Sequence, residues 1–212
     1  MKNEVLNILD ELVVRYPTLL TVKNDVLNAY LILKKAFENG NKVLVCGNGG
    51  SASDSEHIVG ELMKKFRKNR PISPLLRQKL YSYGKEGEKL ANALEGCLRA
   101  ISLTGETALS TAFINDKDPD CTFAQRLYGL YDDGDALLCV STSGNSKNCV
   151  LASMLGKALG CKVIAPTGKQ ESKLSALSDV CVKVPETETY KIQELHLPIY
   201  HAVCAMLEEE FF

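Results

Sequence analysis

Two separate stretches of the chain carry side chains that can bind a metal ion or move a proton. His57 and Glu61 are four residues apart, so a helix would present them on one face. Gln193 and His201 are eight apart, about 80° around a helix axis, and can face one region. Such donors suit a metal site or acid–base proton transfer beside a carbonyl. From spacing alone, core histidines with satisfied hydrogen bonds and a solvated glutamate are the commoner arrangement.

The stretch around Gln193 contains two further residues that affect this hypothesis. Pro198 lies between Gln193 and His201 and removes the N–H that would bond the carbonyl of Glu194, so a kinked helix is predicted. His196 follows Gln193 by three residues. We assign His196 a packing or interface role rather than a chemical one.

Two loops rich in glycine and small hydroxyl residues follow apolar runs. They are "NGGSAS" at residues 48–53 and "STSGNS" at residues 141–146. Backbone N–H groups and hydroxyls at a helix N-terminus suit an anion such as phosphate. One such loop is equally explained by glycine with positive φ and a serine that caps the helix. Two such loops in one chain favour a phosphate or sugar site.

The first loop also fits G-x-G-x-x-A, a pattern of dinucleotide-binding folds. That pattern requires an acidic residue about 20 residues further on. Here the neighbourhood reads "MKKFRKNRP", and the P-loop pattern is absent. The sequence therefore predicts no nucleotide cofactor.

The elements that must position these loops alternate along the chain. Strands are predicted at residues 43–46, 100–103, 136–142, 162–166 and 180–184, and helices at 51–66, 108–114, 122–130, 146–159, 172–177 and 190–212. Because the strands are nearly all apolar, they indicate a parallel sheet covered on both faces. Ligands bind such sheets at the carboxyl ends of the strands, where both loops are predicted to lie.

Two segments stand outside this alternation. Residues 1–40 predict an N-terminal arm of two helices separated by Pro17. Residues 75–99 are charged, contain Gly84 and Gly87 and regain helical periodicity near Leu90 and Leu94, which predicts an inserted loop plus helix.

Composition sets limits on the class of protein. The chain has 212 residues and a net charge of −1, so nothing favours nucleic acid or an anionic membrane as a partner. The N-terminus does not resemble a signal peptide, and no apolar run approaches the roughly 18 residues of a membrane span.

The eight cysteines form no CxxC pair and sit mostly in apolar runs. They predict buried reduced thiols in a cytoplasmic protein.

The motifs taken together resemble those of a known family. The stretches "CGNGGSASDSEHIVGEL", "AFINDKD", "STSGNSKN" and "YKIQELHLPIYHAV" resemble the sugar isomerase (SIS) domain family, and within it the phosphoheptose isomerase branch. The resemblance implies a single SIS domain over residues 1–212, folded as a flavodoxin-like three-layer α/β/α sandwich with a five-stranded parallel sheet and added N-terminal helices. It also implies a homotetramer with active sites shared between subunits.

The same resemblance implies roles for individual residues. The sugar would contact Asn48, Gly49, Gly50, Ser51, Glu61, Asn115, Asp116 and Gln193. The phosphate would contact Ser141, Thr142, Ser143 and Ser146. Zinc, one ion per subunit, would be bound by His57, Glu61, Gln193 and His201. The acid–base pair would be Glu61 and His201, which move a proton between C1 and C2 of sedoheptulose 7-phosphate through an enediol.

A non-catalytic SIS module is the alternative, and the retention of Glu61 and His201 favours an enzyme over it. Some SIS proteins bind phosphosugars or protein partners without catalysis, and those lack the glutamate and the last-helix histidine that this chain keeps as Glu61 and His201. This chain also has Tyr190 where the branch carries an acidic residue. Tyr190 and the insertion at residues 75–99 bear on which sugar is bound more than on the reaction class. Glu61 cannot be a tight metal ligand and a free base at once, and the sequence does not choose between these roles.

Overall fold

The computed structural model describes residues 2–212 of the chain. Within them, five parallel strands form one sheet in the order β2-β1-β3-β4-β5. The strands are β1 (Val43–Gly47), β2 (Ala100–Ser102), β3 (Ala136–Val140), β4 (Lys162–Thr167) and β5 (Val180–Lys183). This arrangement confirms the predicted α/β class and the five-stranded parallel sheet.

The described residues also form ten α-helices, most of them close to their predicted positions. They are α1 (Asn3–Arg15), α2 (Lys23–Glu38), α3 (Gly50–Met63), α4 (Pro74–Tyr81), α5 (Gly84–Ala93), α6 (Thr107–Asp116), α7 (Thr122–Leu130), α8 (Lys147–Ala158), α9 (Lys173–Leu177) and α10 (Thr189–Phe211). A 3-10 helix at Pro17–Val22 separates α1 from α2. Helix α10 runs past Pro198 without interruption.

Two apolar cores lie on opposite faces of the sheet. In β1, Val43 and Val45 join the core that α1, α2, α3 and α10 cover. Leu44 and Cys46 join the core beneath α7, α8 and α9. Successive residues of a strand point to opposite faces, so a fully apolar strand requires helices on both sides. The result is the predicted three-layer sandwich.

The segment at residues 75–99 differs from the predicted loop and single helix. It contains two helices, α4 and α5, which pack mainly on each other, and α4 buries none of its residues. Gly87 allows this close pairing, because a Cβ at that position would collide with the carbonyl oxygen of Leu80. Sequence periodicity did not predict α4, because its apolar residues, Leu75 and Leu76 among them, face solvent instead of a core.

All eight cysteines are free, and five of them are buried. Nowhere in residues 2–212 is there a helix with both the length and the apolar character needed to cross a membrane.

Candidate active site

The loops that follow β1 and β3 meet at one point of the sheet edge. These strands are neighbours, but the chain leaves β1 toward β2 on one side and continues from β3 toward β4 on the other. This is the topological switch point of the sheet, where open α/β folds bind ligands. A cleft of about 370 Å³ lies here, lined by Asn48, Gly49, Gly50, Ser51, Val140, Ser141, Thr142, Ser146, Thr189 and Gln193. We call it the loop cleft.

The local structure of the loop cleft leaves hydroxyl groups free for a ligand. Ser146 is the N-cap residue of α8, yet its side chain makes no capping hydrogen bond. Its Oγ instead lies 3.2 Å from Ser141 Oγ. The amides of Asn48 and Asn148 hydrogen-bond each other in both directions, at 2.8 and 2.9 Å, and tie the two loops together. The simple interpretation of Ser146 as a helix cap therefore does not apply.

Glycine residues shape the floor of the loop cleft. Gly49 has φ of +56° at the turn from β1 into α3, a conformation that residues with a Cβ rarely adopt. A Cβ at Gly50 would lie 2.5 Å from Gln193 Nε2. Glycine at position 50 thus allows the Gln193 amide of α10 to approach the N-terminus of α3.

A second group of side chains lies further along the same two helices. His57 Nε2 lies 3.0 Å from Glu61 Oε1, and His57 Nδ1 lies 3.0 Å from the hydroxyl of Tyr200. That hydroxyl is also 3.3 Å from Asp54 Oδ1. The imidazoles of His57 and His201 pack edge to face with their centroids 5.0 Å apart. We call these five residues the histidine cluster.

Three donor or acceptor atoms of the histidine cluster are buried without a hydrogen-bond partner among residues 2–212. They are Asp54 Oδ2, Glu61 Oε2 and His201 Nε2. Buried polar groups without partners are uncommon and call for an explanation such as a bound ligand. Burial lowers the pKa of His201, with a further lowering from the neighbouring charges of His57 and Arg15 that Glu61 opposes. Burial also raises the pKa of Asp54.

His201 opens on a cleft other than the loop cleft. This second cleft has a volume of about 310 Å³ and lies between α1, α10 and the segment that follows α3. Along α10, Gln193 and His201 are separated by about 12 Å, at 1.5 Å per residue. The structure therefore divides the predicted site residues of one chain between the loop cleft and the histidine cluster.

Three predicted site residues lie in neither place. Ser143 is exposed, and its Oγ accepts a hydrogen bond from the backbone N–H of Asn145. Asn115 and Asp116 are exposed at the end of α6, where the amide of Asn115 donates to Asp116 Oδ1 at 2.8 Å. A single copy of the chain does not bring these three side chains to the loop cleft.

The predicted zinc site has suitable donor atoms, but their arrangement is not that of a metal site. His57, Glu61 and His201 lie close together and are suitable zinc ligands. Yet within residues 2–212 no group of three or more His, Cys, Asp or Glu side chains is arranged to hold a metal ion. The fourth predicted ligand, Gln193, lies at the loop cleft.

Sequence reasoning did not identify Tyr200, Asp54, Asn148 and Thr189. Asp54 had a detectable signal, since it lies three residues before His57 and shares its helix face. Tyr200 had none, because one residue of separation from His201 gives no indication that its hydroxyl reaches α3. Asn148 and Thr189 reach their places through tertiary structure.

Comparison with known proteins gives consistent matches. Family descriptions of the SIS domain match residues 18–96 and 100–208. A phosphoheptose isomerase of Akkermansia muciniphila is 32% identical over 212 residues, covering 100% of this chain and 97% of that protein. Phosphoheptose isomerase 2 of Campylobacter jejuni is 37% identical over 185 residues, covering 87% of this chain and 80% of that protein.

Solved structures show the same likeness. The phosphoheptose isomerase of Neisseria gonorrhoeae superposes with a TM-score of 0.72 at 28% identity, and that of Francisella tularensis with 0.71 at 28% identity. Each superposition covers 98% of this chain and 94% of the other.

Proposed function

Because this chain belongs to the SIS domain family and to its phosphoheptose isomerases, we propose that it interconverts sedoheptulose 7-phosphate and D-glycero-D-manno-heptose 7-phosphate. This reaction is an aldose–ketose isomerisation, an intramolecular oxidoreduction. We further propose that residues 1–212 act as one SIS domain. The observation that carries the proposal is the loop cleft, in which two hydroxyl-rich loops and Gln193 meet at the switch point of the sheet.

The loop cleft supports phosphosugar binding through groups suited to an anion. Ser141, Thr142 and Ser146 supply hydroxyls beside the N-terminus of α8, and we assign them the phosphate. Asn48, Gly49, Gly50, Ser51 and Gln193 surround the rest of the loop cleft, and we assign them the sugar.

We assign the proton transfer to Glu61 and His201. Glu61 Oε2 takes a proton from C1 of the ketose and later returns a proton to C2 of the aldose. His201 delivers a proton to O2, which gives the enediol, and takes one from O1 as the new carbonyl forms at C1. His57 supports this assignment, since its hydrogen bond to Oε1 fixes the carboxylate and leaves Oε2 without a protein partner.

The distribution of these residues supports a site shared between subunits. The loop cleft and His201 are separated along α10, while Ser143, Asn115 and Asp116 lie outside the loop cleft of one chain. A second copy that brings its own residues to this cleft would complete the set. We therefore propose a homotetramer with shared active sites, in agreement with the resemblance drawn from the motifs.

We also propose that each subunit binds one zinc ion, because the side chains at the site are suitable zinc ligands. The residues that would hold it are His57, Glu61, Gln193 and His201. The unpartnered atoms Glu61 Oε2 and His201 Nε2 support it, whereas the hydrogen bond between His57 and Glu61 would have to open. When bound, zinc would polarise the carbonyl and stabilise the enediolate. Stoichiometric zinc in protein purified without chelator would support this role, and full activity in metal-free protein would contradict it.

The eight free cysteines support a cytoplasmic location, because an oxidising compartment favours disulfides. We propose that location on this ground.

The reaction class is tested by incubating the protein with sedoheptulose 7-phosphate in D₂O and recording proton spectra. We expect an aldoheptose 7-phosphate that carries solvent deuterium at C2, because the proton taken from C1 exchanges with D₂O while the base holds it. Binding of the phosphosugar without any conversion would favour a non-catalytic SIS module instead. Arabinose 5-phosphate and fructose 6-phosphate serve as comparison substrates, which measure the preference for the seven-carbon sugar.

A further inference from the structure

Arg70 lies in the segment that follows α3, and its fully buried guanidinium contacts the last turn of that helix. Its Nη1 donates to the carbonyl of Leu62 at 2.8 Å, and its Nη2 donates to the carbonyl of Glu61 at 2.9 Å. The last carbonyls of a helix lack partners within the helix, and a cation there is also favoured by the helix dipole. Arg70 thus binds the backbone of the very residue that we assign as the base.

Glu208 of α10 accepts the third hydrogen bond of Arg70. Arg70 Nε lies 2.7 Å from Glu208 Oε1, with side-chain exposures of 0% and 1%. Glu208 also accepts the backbone N–H groups of Phe66 and Arg67, at 2.9 and 2.7 Å. Its carboxylate is therefore fully occupied by the segment that follows α3.

Glu208 and His201 share one face of α10. Seven residues separate them, which leaves them about 20° apart around the axis and about 10 Å apart along it. The Arg70–Glu208 pair therefore connects the backbone of Glu61 on α3 with the helix face that carries His201. No other part of the proposed mechanism uses either residue.

We propose that the Arg70–Glu208 ion pair is a positioning device that sets the separation of Glu61 and His201. The inference rests on the proposed function, since it assigns the two residues a task in that reaction. Proton transfer requires the reacting groups to be held closely, and a misplacement of about 1 Å can lower a rate by about 100-fold. A buried ion pair is often no more stabilising than apolar side chains of similar volume, so stability alone is a weak reason for this one.

The test compares matched substitutions in two buried ion pairs. Glu208→Gln keeps the shape of the carboxylate and removes its charge. Arg70→Lys keeps the charge but loses the fork that reaches both carbonyls. The control is Asp135→Asn just before β3, where Asp135 pairs with Lys42 at 2.6 Å and accepts the backbone N–H groups of Lys42 and Asp132.

We expect kcat for the phosphosugar to fall about 10- to 100-fold in Glu208→Gln and Arg70→Lys, with KM changed less than threefold. The loop cleft that binds the phosphosugar is not touched by either substitution. Asp135→Asn should lower the melting temperature while kcat stays at the wild-type value. If the variants at Arg70 and Glu208 lose only melting temperature, as the control does, the pair is merely structural and the inference is wrong.

A second readout does not depend on activity. The chain has three histidines, so the ¹⁵N-labelled imidazoles give few signals. The signals of His57 and His201 should move in Arg70→Lys, while that of the core residue His196 stays in place, and none should move in Asp135→Asn. Unchanged signals of His57 and His201 would overturn the inference. An inactive wild type would reject the proposed reaction, and these signals would still decide the positioning role.

Discussion

The imidazole of His57 connects Glu61 to Tyr200, with 3.0 Å from Nε2 to Glu61 Oε1 and 3.0 Å from Nδ1 to the Tyr200 hydroxyl. A carboxylate can only accept, so Nε2 of His57 carries the proton that is donated to Glu61. On the other side of the ring, the Tyr200 hydroxyl contacts Nδ1, and it donates its one proton to Asp54 Oδ1. Tyr200 therefore fixes which nitrogen of His57 faces the proposed base, and with it the orientation of the Glu61 carboxylate.

Tyr200→Phe should lower kcat by about 10-fold with little change in KM, because the hydroxyl orients His57 rather than the substrate. Free energy of unfolding should also fall by about 1–3 kcal/mol, since the half-buried Asp54 loses its hydrogen-bond partner. Steady-state kinetics and urea unfolding measure the two effects. Tyr128→Phe is the control, since Tyr128 is 68% exposed. Equal kcat values for the two variants would contradict the orienting role.

Ser146→Ala should raise KM for the phosphosugar about 10-fold, because a hydroxyl of the loop cleft that does not cap its helix is removed. Ser143→Ala is the comparison, since the Ser143 hydroxyl already accepts from Asn145 outside the loop cleft. We expect a smaller rise in KM for Ser143→Ala. Inhibition by inorganic phosphate measures the same site without the sugar. A larger effect at Ser143 would show that the assembled protein places this residue at the phosphate.

His196 should make stability depend on pH. Burial lowers its pKa to about 4, from the ordinary value of 6.5, while a hydrogen bond to the Thr167 carbonyl opposes the shift. Tyr200 is the one titratable neighbour in the otherwise apolar cavity that His196 lines within the described chain. Between pH 6.5 and 4 the unfolded chain binds the proton and the folded one does not, so stability falls as pH decreases through this window.

The contribution of His196 to the pH dependence of stability is measured by comparing wild type with His196→Gln. Wild type should lose about 2 kcal/mol more than His196→Gln between pH 7.5 and pH 5.0 in urea unfolding, because the variant lacks the titrating group. The subtraction removes the contributions of His57 and His201, which both proteins share. Parallel pH profiles of the two proteins would show that His196 is protonated in the folded state.

The proposed shared site predicts the mass of the particle in solution. Light scattering during gel filtration should give about four times the chain mass of 23.2 kDa at the concentration of the activity assay. Activity per chain should fall on dilution below the dissociation range of the tetramer. A monomer with undiminished activity would contradict the sharing of residues between subunits.

The local pattern of apolar, glycine and hydroxyl residues in the sequence was sufficient to predict much of this fold. The strands of 3–6 residues were recognisable as short, nearly all-apolar runs, and the loops after β1 and β3 were identifiable because glycine and hydroxyl residues end those runs. Both loops meet as predicted, since neighbouring parallel strands end at one edge of the sheet. Helix α4 was harder to predict, because it buries none of its residues, whereas the helical period near Leu90 predicted a helix where α5 lies.

The side-chain arrangement of the site required the structure. Spacing on α10 predicted that Gln193 and His201 face one side, but the rise along the axis places them at different clefts. The contacts of Tyr200 with His57, and of Arg70 with Glu208, join residues more than 130 positions apart. No local pattern carries such contacts, since they depend on how α3 packs against α10.

The central claim is that this chain isomerises a ketose phosphate with Glu61 as the base. The most direct measurement is the rate of conversion of sedoheptulose 7-phosphate by wild type, Glu61→Gln and Glu56→Gln, with phosphosugar binding measured in parallel. Glu56 is the matched control, an exposed glutamate of α3 that accepts a hydrogen bond from Thr104. We predict conversion by wild type and Glu56→Gln, and a loss of about 1,000-fold in Glu61→Gln with binding retained. Conversion by Glu61→Gln at the wild-type rate, or binding without conversion by wild type, would contradict the account.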